Sequence, residues 1–193
     1  MNLSENIRNA FDVVRKTYEN VDKLLKYCDS ISGDCGYYVV TSRFLRYRSD
    51  PDYEGWFVNR FIKLYQQKAD KELENGWRDG PVFAMEINFE GIPTVYLSKF
   101  EYDDISTWSE GISPKYYWIF SDSIDCKGND FKEKYTDNRH RYCISEPETE
   151  SIKNKYWGIK RAIYTTIDLS QLDSNNISEK VFDEFNTLEN LNL

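Results

Sequence analysis

The chain has a single histidine, His140, three residues before Cys143 in the stretch DNRHRYCIS. A histidine near a cysteine is the minimum for a base-activated thiol nucleophile. Here Arg139 and Arg141 flank the histidine and no catalytic signature surrounds it. The histidine reads as a surface residue. One histidine also rules out a metal centre built on several imidazoles. There is no glycine-rich phosphate loop, no GxSxG nucleophile elbow and no dinucleotide fingerprint. The four cysteines, Cys28, Cys35, Cys126 and Cys143, match no zinc-ligand spacing. No cofactor is expected.

Carboxylates are the one abundant group with catalytic potential. A divalent-metal phosphodiesterase or nuclease needs a few acids converging on an ion. The set Glu86, Glu101 and Asp122, with Asp103 and Asp104 nearby, is the candidate if the segments carrying it are neighbours. The lysine expected two residues after a strand glutamate is missing, because Ile87 and Asn88 follow Glu86. The metal-site reading is therefore an alternative, not the first expectation.

The same acids read more readily as a binding surface. Of 193 residues, 33 are acidic and 25 basic, a net charge of −8, and residues 81–193 carry all of the excess. Residues 86–125 hold eight acids against only Lys99 and Lys115. Interleaved with them are Trp108, Tyr116 and Trp118. Aromatic side chains rimmed by charge are what protein interfaces use, and complementary charge speeds encounter with a basic partner. Glu101, Asp103, Asp104, Trp108, Glu110 and Trp118 are the expected partner-binding residues. The expected role is a small acidic, non-enzymatic protein that engages and inhibits a basic protein, as immunity proteins, antitoxins and inhibitors of defence nucleases do. An overall negative charge argues against direct nucleic-acid or anionic-membrane binding.

Arg43, Arg46 and Arg48 in SRFLRYRSDPDYEGW are the opposite case. With Arg60 and Lys63 they could hold an anion, weakly. Alternation along a strand puts Arg43 on one face and Arg46 and Arg48 on the other, so they form no single row. Salt bridges to Asp50, Asp52 and Glu54 account for them better.

These residues require elements to position them. Ile7, Phe11, Val14, Tyr18, Val21, Leu25 and Cys28 repeat every 4-3-4-3-4-3 residues, predicting a helix over 5–31 about 40 Å long. Such a seam packs on the protein's own sheet or, through residues 7–28, on a second copy as a homodimeric scaffold or regulator. YYVVTSRFLRYR (37–48) reads as a strand. Asp50-Pro51, the acids after them and Gly76 bracket a predicted second helix over 51–75. PVFAMEINFE and IPTVYLSKFEY predict a hairpin about Gly91, KYYWIFSDS (115–123) a third strand and YWGIKRAIYTTIDLS (156–170) a fourth. Residues 124–155 read as a long surface excursion. A short last helix follows, with residues 186–193 fraying.

A chain this long, 40% hydrophobic, suffices for one core. The expected fold is a single α+β domain, 1–193. A long N-terminal helix and a second helix pack on a mostly antiparallel sheet of about five strands. No apolar run reaches the roughly 20 residues of a membrane span. The polar start MNLSENIRNAF has no signal-peptide core, so the expected location is cytoplasmic.

Overall fold

The structure, a computed structural model, describes residues 2–46, 56–109, 116–125, 129–136 and 141–191. Seven strands form one antiparallel sheet: β1 (Tyr37–Val39), β2 (Arg60–Gln67), β3 (Val82–Asn88), β4 (Thr94–Tyr102), β5 (Phe131–Tyr135), β6 (Cys143–Pro147) and β7 (Ile159–Asp168). Their order is β1-β2-β3-β4-β7-β6-β5. The helices are α1 (Leu3–Ser32), α2 (Tyr117–Asp125), α3 (Glu150–Lys155) and α4 (Glu184–Asn190), the last entered through a π-helical turn, Ser178–Asp183. The α+β class and the long first helix are as the sequence implies, with seven strands in place of about five.

Both faces of the sheet are covered, and side chains alternate between two cores. On β3, Phe83, Met85 and Ile87 face Val21, Leu25 and Cys28 of α1 and Phe182 and Phe185 near the C-terminus. Val82 and Ala84 face the other way, toward Ile119 and Phe120 of α2, Phe100 and Tyr156. This double burial explains the largest departure from the sequence reading. Residues 60–67 are strand β2, not part of a helix over 51–75. RFIKLYQQ is buried on both faces, so it lacks the polar alternation that marks a half-exposed strand. The expected helix start at Asp50-Pro51 lies outside the described residues. Gly76 does adopt φ +82, but in a turn that joins Leu73 to Trp77.

The hairpin about Gly91 is correct, and pairs Asn88 with Thr94 through Val82 with Phe100. The described residues of KYYWIFSDS, 116–123, are not a strand but enter helix α2. Ile119, Phe120, Ser123 and Ile124 are buried together, a spacing that a helix satisfies, and tertiary packing overrides the aromatic β-preference. Among the described residues of 37–48 the strand is Tyr37–Val39, with one isolated bridge from Leu45 to Ile62. The excursion 124–155 holds β5, β6 and α3 and builds one edge of the sheet. The tail does not fray through 186–190: α4 buries Phe185 and Leu188 in the core.

Buried charges are paired. Arg60 reaches Glu86 (3.4 Å), Glu90 (2.6 Å) and the Ser121 hydroxyl (2.7 Å). On the opposite face, Lys63 donates to Asp29 at 2.7 Å, and Asp29 also accepts from the Tyr65 hydroxyl at 3.1 Å. Among the described residues no helix is long and apolar enough to cross a membrane.

Candidate functional site

At the end of β4 the chain turns through Asp103 and Asp104 into a short 3-10 helix, Ile105–Thr107. Asp104 caps that turn, accepting from the Ser106 N–H (2.9 Å) and hydroxyl (2.5 Å). Those bonds, the hydroxyl first, hold the Asp104 carboxyl below the usual aspartate value. Asn75 pins the far side by donating to the carbonyls of Ile105 (2.8 Å) and Trp108 (3.0 Å). A flexible-looking polar segment is thereby made rigid.

The opposing wall comes from the end of α3. Thr149 caps that helix, its hydroxyl accepting from the Ile152 N–H. At the other end Gly158 N–H bonds to Lys153 O (2.9 Å) and Trp157 N–H to Asn154 O (3.2 Å). This is the paired-bond helix ending in which the residue after the cap is left-handed. Glycine is the usual occupant. Here it is Trp157, at φ +60, followed by Gly158 at φ +79. A bulky side chain in that region costs about 1–2 kcal/mol, and such strain concentrates at functional positions.

Neighbouring rings hold Trp157 in place. Trp108 stacks edge-on against it at 5.0 Å and Tyr116 at 5.1 Å. Trp108 is in turn packed by Tyr102 (4.5 Å) and Trp77 (4.8 Å), and its indole N–H donates to Trp157 O at 3.2 Å. The result is a cleft of about 490 Å³ walled by Trp108, Tyr116 and Trp157. Asp103, Asp104, Thr107, Ser109 and Asn154 also line it. Its size is that of a small-ligand or side-chain pocket.

Of the residues expected to bind a partner, Asp103, Asp104 and Trp108 meet here. Asp103 is tied to Lys153 (2.5 Å) and more loosely to Lys160 (3.8 Å). Among the described residues Asp104 has no ion-pair partner. Glu101 lines an adjoining cleft of about 340 Å³ that also includes Asp103 and Asp104. Burial pushes its carboxyl up, but hydrogen bonds from Arg161 (2.8 and 3.2 Å) and the Lys99 ammonium outweigh that and hold it low. Trp118 packs on Tyr156 at 5.3 Å, one residue from Trp157. Glu110 lies outside the described residues.

The acidic excess of residues 86–125 is local to the sequence. In space Arg60, Lys153, Lys160 and Arg161, all from elsewhere, sit against Glu86, Glu90, Asp103 and Glu101. The alternative metal set does not converge. Glu86 stands opposite Tyr96 in the β3–β4 pairing, whereas Glu101 is an odd-numbered neighbour on the other face of β4. Among the described residues no group of three acids, cysteines or histidines is placed to hold an ion. Arg43 and Arg46 are exposed. Arg60 and Lys63 do not join them, being buried on opposite faces against carboxylates. Arg48 and His140 lie outside the described residues.

Sequence reasoning missed Trp157 and the Asn75 clamp. The signal for Trp157 was the YWG triplet after a charged helical stretch, where a helix ends at glycine.

Comparison with known protein families, with characterised proteins and with solved structures finds no match to this chain.

Proposed function

We propose that this chain is a non-enzymatic binding protein that engages a basic protein partner, a lysine or arginine of which enters the Trp108–Tyr116–Trp157 cleft. The observation that carries the reading is Trp157 itself. A tryptophan occupies the left-handed position that glycine would fill without strain, and its ring forms a wall of the cleft. Its packing on Trp108 and Tyr116 offsets part of that strain, and the ring still leaves a half-buried surface on the cleft.

The chemistry of the cleft suits a cationic side chain. Tryptophan faces attract ammonium and guanidinium groups, by about 0.5–2 kcal/mol depending on desolvation. Asp104, ionised at neutral pH, stands at the rim as counter-charge. Aromatic anchors of this kind carry much of the energy of protein interfaces. The global charge of −8 assists encounter with a basic surface. Inhibition follows if the surface covered is the partner's own working site, as in immunity or antitoxin proteins.

The test is affinity capture from native lysate with the wild-type chain, Trp157→Ala and Asp104→Lys. One basic protein should co-elute with the wild type near stoichiometry, leave at high salt and be lost with both variants. Equal recovery by all three chains, or recovery of no basic protein, would overturn the reading.

A further inference from the structure

Among the described residues none covers the first three turns of α1. Every residue from Asn2 to Phe11 is exposed, and the first buried side chain of the helix is Val21. Among the exposed residues are Leu3 (72%), Ile7 (50%), Phe11 (72%) and Val13 (64%). At 100° per residue, Leu3, Ile7, Ala10 and Val14 fall on the same helix face as Val21, Leu25 and Cys28. Below Tyr18 that face is buried on the sheet. Above it the same stripe runs on for about three turns, with Leu3, Ile7 and Ala10 exposed and Val14 half-buried. Tyr18 is the hinge point, packed on Phe57 and Phe61 and donating its hydroxyl to Val58 O at 2.7 Å.

We propose that this stripe pairs with the same stripe of a second copy of this chain, antiparallel about a two-fold axis. The spacing argues for self-recognition. Leu3, Ile7, Ala10 and Val14 are separated by 4, 3 and 4 residues, a pattern that is the same in either direction. Antiparallel pairing therefore sets Leu3 against Val14 and Ile7 against Ala10, apolar at every layer, with each contact made twice. Phe11 flanks the seam on one side and Val13 on the other.

Charge and area point the same way. Glu5, Arg8, Asp12, Arg15 and Lys16 all lie on the opposite face of the helix, where Arg15 pairs with Asp12 and Glu19. The stripe thus offers no charge for a polar partner to recognise. Residues 2–17 hold three bases and two acids in a chain of net charge −8, so two copies meet where their repulsion is least. An antiparallel pair also opposes its helix dipoles favourably. Trp56 and Phe57, themselves exposed, extend the apolar surface beside Tyr18. Leu3, Ile7, Phe11, Val13, Trp56 and Phe57 together present roughly 700 Å² of apolar surface, large aromatics giving about 150–250 Å² each when fully uncovered. That is near the roughly 800 Å² per partner of a standard interface.

Sedimentation equilibrium of the full chain from about 5 to 500 μM tests this. The wild type should rise from 23.0 kDa toward twice that mass. The double variant Ile7→Glu with Phe11→Glu should stay at the monomer mass with an unchanged circular dichroism spectrum, its dissociation constant raised at least a hundredfold. Mixing a Leu3→Cys chain with a Val14→Cys chain under oxidation should yield the mixed disulfide and neither symmetric one. A wild type that is monomeric throughout would overturn the proposal. So would a dimer that survives the double variant, symmetric crosslinks, or a monomer that instead binds neutral lipid vesicles through this helix.

Discussion

The indole N–H of Trp108 donates to the main-chain carbonyl of Trp157 at 3.2 Å while their rings meet edge to face at 5.0 Å. One tryptophan thus fixes both the backbone and the side chain of another, 49 positions away. The left-handed turn at Trp157 and the loop after Asp104 are consequently one unit, and changes at either should be felt at both.

At Trp157, glycine should be better tolerated than alanine. Both variants lose the ring, but only glycine accepts φ +60 without strain. Trp157→Gly is expected to be more stable than Trp157→Ala by about 1 kcal/mol in urea denaturation, while both lose partner capture. Equal stabilities would mean that the turn is not strained.

Asn75→Ala removes the donor that serves the Ile105 and Trp108 carbonyls. The expected cost is about 1–3 kcal/mol. Near-ultraviolet circular dichroism should report the loosened Trp77–Trp108 pair, and amide exchange should quicken over residues 103–109.

Arg60 is the counter-charge of the buried Glu86. Arg60→Met takes a positive charge away from that already buried carboxylate and leaves it the weaker Ser121 hydroxyl contact among others, at a cost of about 3 kcal/mol. Adding Glu86→Gln should restore part of the loss, a non-additivity that a double-mutant cycle in urea measures directly.

Glu101 gives the fold an acid-sensitive contact. Its folded carboxyl lies below the ordinary glutamate value of about 4.5, because Arg161 and Lys99 stabilise the ionised form against burial. A lowered folded pKa adds stability above the unfolded value, and that stability fades as pH falls from there through the folded one. Urea midpoints of the wild type should therefore drop below about pH 4.5, and Glu101→Gln should flatten that decline.

Much of the fold was legible where a local pattern carried it. The seam from Ile7 to Cys28 marks α1 because 3.6-residue periodicity needs nothing beyond the helix itself. The alternation about Gly91 marks the β3–β4 hairpin for the same reason. β2 was misread because both of its faces are buried, which erases the alternation. α2 was misread because Tyr117, Trp118, Ile119 and Phe120 favour strands until a core selects the helical spacing of Ile119, Phe120 and Ile124.

Asp103, Asp104 and Trp108 could be found as site candidates because six positions of one loop contain them. Their environment could not. The sequence by itself determined which segments are amphipathic, where the acids and aromatics are concentrated, and that the chain lacks the common catalytic signatures, since all of these are properties of residue type and spacing. Only the tertiary structure decided that Trp157 and Tyr116 close the cleft, that Lys153 and Lys160 pair with Asp103 and Arg161 with Glu101 while Asp104 keeps its charge at the rim, and that α1 outruns its sheet. Each of these depends on contacts between residues far apart in the chain, where loop closure and side-chain packing, not local preference, set the geometry.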